Sequence, residues 1–360
     1  MVQVKNIEAI ALVFTVGVLA GTMVPAGPAG AVSALLLPLL ALPFFFREKL
    51  RRLPEAQAVS LILATFLLLG LFCALSRALP GLETASALQL FAADAANALR
   101  ARIDALPFAS EGTAPLLKAF LTGDRSGLSA HTVGLFRQSG AAHLLALSGL
   151  HMGILYLLLD KLSWAWGGAP AAQVARLVLI GLGGGFFTLM TGASPSIVRA
   201  YLFILINEIL RLTGRPRKAS RVLCLALLVQ LVLDPGVVRS TGFQLSYLAM
   251  AGIFLLFPTL KAWYPAGSNW NPLRRIWNVA ALTLSCQLFT APLSWYRFHS
   301  FPRHFLLTNL LALPLTTGFL TTAVATLALD ALHLCPKVLI TATDGLGRLL
   351  INVLEVIASL

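Results

Sequence analysis

Apolar runs of about the length that crosses a bilayer recur from one end of this chain to the other, and no other feature narrows its fold as much. They fall near residues 7–24, 31–46, 58–75, 142–159, 174–191, 195–212, 220–234, 242–258, 276–293, 304–329 and 338–358, about eleven in all. In hydrocarbon a backbone must satisfy its own hydrogen bonds, so such segments cross as helices. The reading is an all-α fold, a polytopic transmembrane helix bundle of about 10–12 spans with an exported amphipathic-helix segment. Charged residues are 11% of the chain, far below the roughly 25% of a soluble domain. The first run has no convincing signal-peptidase site and is expected to stay as an anchor. The stretch "TNLLALPLTTGFLTTAVATLAL" reads as one helix kinked at Pro314 or as two short ones.

The net charge of +13 has two readings, nucleic-acid binding and membrane topology, and topology comes first because cytoplasmic loops collect Lys and Arg. "REKLRRLPEAQ" (47–57) and "RLTGRPRKASR" (211–221) are both strongly basic, and Arg274 and Arg275 lie in a loop of the same parity. Taking these loops as cytoplasmic puts the amino terminus inside and residues 76–141 outside. The cysteines, Cys73, Cys224, Cys286 and Cys335, stand singly among apolar residues and read as small buried hydrophobes.

Three regions follow. Residues 1–76 form an N-terminal membrane segment of three spans, 77–141 carry exported amphipathic or interfacial helices, and 142–360 form the main membrane domain. In "ALQLFAADAANALRARIDAL" the residues Leu88, Phe91, Ala95, Leu99, Ile103 and Leu106 recur at helical spacing, as expected of a helix lying in the interface. Two short helices then flank the turn "GDRSG", with Ser129 placed to cap the second.

The polar residues inside the spans are few. In "HLLALSGLHMGIL" an ideal helix puts His143, Ser148 and His151 within an arc of roughly 140°, with Ala146, Gly149 and Gly153 on a separate small-residue face. One reading is helix packing through Gly149 and Gly153, the histidines bonding to nearby carbonyls. The other is a polar strip along a hydrated cavity, where intramembrane ionisable residues usually face. In "GASPSIVRAYLF" Ser194 is placed as an N-cap and Pro195 as the first helical residue, with Arg199 about one turn in. A helix amino terminus beside a guanidinium favours an anion, although Arg199 could equally reach the outer headgroups. Gln244 and Ser246 open a later span, and Gln287 and Asn309 follow. On the expected topology His143, Arg199, Gln244, Gln287 and Asn309 all fall in the outer half of the membrane, as a hydrated vestibule would need. Glu208, near the inner end of its span, is expected to pair with a local arginine.

No GxxxxGK[ST] loop, paired-carboxylate metal site or GxSxG elbow occurs. No carboxylate or cysteine sits at ligand spacing beside the histidines. The chain is therefore expected to have no catalytic residue, no bound metal and no cofactor, and not to be an enzyme.

"LLKAFLTGDRSGLSAHTVGLFRQSGAAHLLALSGLHMGIL" resembles the signature of the ComEC family, the inner-membrane channel for DNA uptake in natural transformation. "GASPSIVRAYLF", "TGFQLSYLAMAGI" and "SFPRHFLLTNLLALPL" resemble the family's next landmarks, in order. The resemblance runs from about residue 113 to about 318. It implies a multi-pass protein of the bacterial cytoplasmic membrane, with 142–360 as a channel domain for single-stranded DNA. His143, Ser148, His151, Arg199, Gln244, Gln287 and Asn309 would then lie along the path, and Arg125 and Arg137 would meet the strand first. Family members usually add an OB-type and a metallo-β-lactamase-like domain, neither of which this sequence shows. A separate DNA receptor, motor and nuclease are accordingly expected as partners beside membrane lipids, and a homo-oligomer is compatible with the same reading. The alternatives are a carrier or flippase for another anionic or lipid-linked substrate, and a scaffold that transports nothing.

Overall fold

The computed structural model describes residues 7–25, 32–33, 35–40, 54–77, 87–264, 271–299 and 301–360. Among them the secondary structure is helical throughout. In chain order we number α1 (Ile7–Met23), α2 (Glu55–Arg77), α3 (Ala87–Ala105), α4 (Thr113–Thr122), α5 (Ala130–Gln138), α6 (Ala142–Leu145), α7 (Gly149–Trp164), α8 (Pro170–Met190), α9 (Pro195–Leu212), α10 (Ala219–Leu233), α11 (Thr241–Leu255), α12 (Phe257–Ala262), α13 (Pro272–Phe298), α14 (Phe305–Ala331) and α15 (Lys337–Ala358). Half of the run expected at 31–46, including all of 41–46, lies outside the described residues.

Among the described residues five stretches are long and apolar enough to cross a membrane: Ala56–Ser76, Pro170–Met190, Thr241–Ala262, Pro272–Phe298 and Phe305–Ala331. α1 and α10 are apolar but shorter. This is a multi-pass membrane protein built as an α-helical bundle. α14 resolves the ambiguity at Pro314, because it runs as one helix of 27 residues through the proline. Two expected spans have a different character. α9 and α15 form as helices, but Arg199, Glu208 and Arg211 in the first, and Lys337, Asp344, Arg348 and Glu355 in the second, keep them from being apolar spans.

Contacts divide the chain into two compact units. The first comprises the described residues of 1–85 and 201–243. Its tightest pairing is α1 on α2, where helix backbones meet at glycines. A Cβ on Gly17 would overlap the Leu67 carbonyl, and one on Gly70 would overlap that of Phe14. Small residues at such spacing let helices approach in lipid, where no hydrophobic force draws them together. Buried Glu208 pairs with Arg211 at 3.6 Å, as expected from the sequence.

The second unit comprises 86–200 and 244–360. Its core joins Ile103 of α3, Leu116, Leu117 and Phe120 of α4, Phe136 of α5, Ile154 of α7, Phe319 and Leu320 of α14, and Leu350 and Leu354 of α15. Phe120 stacks edge-on against both Phe136 and Phe319, with centroids 6.1 and 6.0 Å apart. Position 142 is thus no packing boundary. Helices α3 to α5, expected to lie flat in the interface, share one core with α14 and α15. Charge pairs accompany this packing. Arg100 meets Asp124 at 3.4 Å, Lys118 meets Asp104 at 2.8 Å, and Arg102 meets Asp330 at the end of α14 at 2.8 Å. Leu88, Leu90 and Phe91 on the outer side of α3 remain exposed. Ser129 caps α5 as its position suggested, accepting the Thr132 N–H at 3.0 Å.

Candidate functional site

All the candidate path residues fall in the second unit. Their framework is a helix that breaks. The apolar run at 142–159 predicts one continuous span, but α6 stops at Leu145 and the backbone is extended at Ala146 and Ser148 before α7 begins. Local capping causes the break. The Ser148 hydroxyl accepts the Leu150 N–H at 3.3 Å, and the Ser148 N–H donates to His151 Nδ1 at 3.2 Å. His151 thus plays the part that Glu or Gln plays in a capping box. The carbonyl of Leu145, left without a helical partner, accepts from Arg125 Nη2 at 2.8 Å. Arg125 is therefore built into the break, although its side chain remains exposed.

The ideal-helix geometry expected of His143, Ser148 and His151 is corrected accordingly, since they do not share one helix. His151 is buried at 5% exposure with its ring 6.0 Å from that of Phe120. That is the placement of a cap and a core residue rather than of a cavity lining. The packing role expected of Gly153 is also corrected, because a Cβ there would meet nothing within 4 Å. Gly149 has only ordinary contacts, with Ala200 and with Arg199 Nη2, each 3.7 Å from where its Cβ would be.

That last contact defines the site. α9 starts at Pro195 as predicted, although the Ser194 hydroxyl is buried without a partner instead of capping it. Arg199 then projects over the first residue of α7. Its guanidinium lies 5.9 Å from the Tyr247 ring of α11, with Cys286 of α13 beside it. Its Nε is buried and makes no hydrogen bond. No ion pair among the described residues gives Arg199 a carboxylate. A cation at a helix amino terminus opposes the macrodipole, and free N–H groups there add to the same positive potential. An anion relieves both. Gln244, one turn before Tyr247, and Gln287, next to Cys286, are half-buried on the same helices as those two residues. The sequence reading took Cys286 only for a small buried hydrophobe and did not single out Tyr247, whose one signal was its helical spacing from Gln244.

His143 and Asn309 form a second group. Gly140 ends α5 with φ +81°, and a Cβ there would come 2.8 Å from Pro302 Cβ, so only glycine brings these segments together. Thr308 donates to the Ser139 carbonyl at the same junction. His143 Nδ1 lies 3.2 Å from the Gly140 carbonyl, which can only accept, so Nδ1 carries the proton. Asn309 lies beside the imidazole, with its Oδ1 buried and unpartnered. His143 itself is exposed. Arg137 stands exposed in the last turn of α5, where a cation suits the helix dipole. Among the described residues no cluster of His, Cys, Asp and Glu could hold a metal ion.

A family model described as "Competence protein" matches residues 120–360, which include the broken helix and both groups. "ComE operon protein 3" of Bacillus subtilis (strain 168) is 26% identical over 209 residues, covering 56% of this chain and 24% of its own length. "Uncharacterized protein YcaI" of Escherichia coli (strain K12) is 28% identical over 207 residues, covering 54% of this chain and 26% of its own. The chain thus spans about a quarter of the length of these relatives. No solved structure matches it.

Proposed function

This chain belongs to the competence protein family, and we propose that it forms part of the path by which one strand of DNA crosses the bacterial inner membrane during natural transformation. The basic loops support a cytoplasmic amino terminus. One observation carries the reading. Arg199, with no carboxylate facing it, stands over the amino terminus of α7 inside a membrane bundle. A phosphodiester is the anion that a passing strand offers, whatever its base sequence. His143 and Asn309 supply further hydrogen-bonding groups, and Arg125 supports the broken helix. The reading gives the chain no catalysis of its own, and a separate motor would draw the strand while other proteins capture and trim it.

The same pocket suits a small or lipid-linked anion, and the test separates the two. Labelled single-stranded DNA entry is measured in a transformable host lacking this gene and complemented with wild type, Arg199→Ala, Arg199→Lys or His143→Ala. Arg199→Ala is expected to lower entry at least about tenfold at unchanged protein level. Lys restores part of it, because it keeps the charge and loses the planar fork. Normal entry in both Arg199→Ala and His143→Ala overturns the path. Normal transformation after deletion transfers the pocket to another anion.

A further inference from the structure

α15 was expected to be an ordinary span, and its register against α14 shows otherwise. Thr326 and Thr343 share a hydrogen bond of 3.0 Å between their hydroxyls. A Cβ on Gly318 would lie 3.8 Å from Leu346, and one on Gly347 would lie 3.0 Å from Phe319. The two helices are therefore an antiparallel hairpin, and the core they share continues to Leu354. Gly318 is the middle residue of α14, which is long and apolar enough to cross. Arg348, two residues beyond Leu346, then sits within about 3 Å of the membrane midplane.

Arg348 is not sealed at that depth. Its side chain is 57% exposed, touching buried Asp344 at 3.3 Å along one edge only. Thr341, Asn352 and Glu355 are exposed too. At 100° per residue these four positions lie within about 60° of arc and extend for about 21 Å along the helix. The neighbouring exposed arc is apolar, with Val338, Leu349 and Val356. Lipid suits the second arc and not the first, because Arg, Asn and Glu are among the costliest side chains to leave in hydrocarbon.

We infer that Thr341, Arg348, Asn352 and Glu355 face water at membrane depth and form a wall of the hydrated path along which the phosphodiester strand moves, with Arg348 as its midplane cation. This rests on the DNA-path reading above and extends it to a helix that carries none of the residues named there.

The test uses single cysteines at these four positions in a full-length chain whose Cys73, Cys224, Cys286 and Cys335 are replaced. Leu349→Cys and Val356→Cys report the lipid arc. A membrane-impermeant, positively charged methanethiosulfonate is expected to label the four at least tenfold faster than the two. Equal, slow labelling in membranes, with full labelling in denaturant, overturns the inference. In cells taking up single-stranded DNA, Thr341→Cys and Asn352→Cys are expected to be protected from the reagent. Fast labelling without protection overturns the assignment to the strand's path even where Arg199→Ala has abolished entry, so the two readings fail separately.

Discussion

Replacing Asp344 tests whether the segment before α4 is fastened to α15 by one buried carboxylate. Asp344 is 2% exposed. Its Oδ1 accepts the Thr113 hydroxyl at 2.6 Å and the Ser110 N–H at 3.2 Å, and its Oδ2 faces Arg348 at 3.3 Å. A carboxylate on the first turn of α4 also suits that helix's dipole. In Asp344→Ala the buried Thr113 hydroxyl and the Ser110 N–H lose a charged acceptor. Unmet buried donors cost about 1–3 kcal/mol each, so the two together cost about 2–6 kcal/mol. Arg348 adds little, since more than half of it is exposed and free to find water. Asp344→Asn keeps a carbonyl oxygen in place of Oδ1 and should cost only about 1–2 kcal/mol.

The measurement is reversible unfolding in mixed micelles, followed by tryptophan fluorescence, with Thr113→Val completing a double-mutant cycle. The coupling energy between positions 113 and 344 should exceed about 1 kcal/mol. Asp344→Ala within about 0.5 kcal/mol of wild type, the usual scatter of an uninvolved surface change, would show that the contacts do not hold the segment.

Two further outcomes follow from the same geometry. Gly140→Ala combines a left-handed backbone with a clash against Pro302 and should cost about 2 kcal/mol or more, read as a lowered unfolding midpoint, whereas Gly153→Ala, with open space around it, should be neutral or slightly stabilising. Asp124 is held below its ordinary pKa of 3.8 by the Ser126 hydroxyl and N–H, with Arg100 and Lys118 helping. A depressed folded value means that its stabilising contribution is complete above 3.8 and is lost as pH falls through the lower folded value, so the gap in midpoint between wild type and Asp124→Asn should close below pH 3.8.

What could be read from the sequence was what repeats at short range. Pro195 opens α9 and Ser129 caps α5 because both signals act within three residues. Hydropathy found the segment of α15 and mistook its nature, since Leu, Ile and Val outnumber four charges in any average. The angular separation of Arg348 and Asn352 from Leu349 and Val356 appears only when the helix is wound and placed against α14. The break at Ala146–Ser148 was hidden for a related reason. A histidine standing in for Glu in a capping box is not a stop signal that composition offers, and the residue that secures it, Arg125, lies 20 positions upstream. Asp344 and Thr113 are 231 positions apart. Tertiary contacts at that range leave no periodic trace.

The placement of α3 to α5 follows from two anchors on a single helix. Thr308, near the start of α14, donates to the Ser139 carbonyl, and Asp330, near its end, pairs with Arg102. The stretch of α14 between these anchors is about 33 Å long, close to the hydrocarbon thickness of a bilayer. Residues 102–139 therefore run beside α14 over that length, with Leu116, Leu117 and Phe120 packed against Phe319 and Leu320. Most charges along this course are met, and Glu111 and Arg137 stand exposed. Lys118 has Asp104, Arg100 has Asp124, and Arg125 has the Leu145 carbonyl. The pairs leave the segment nearly neutral, whereas Arg199 has no such partner.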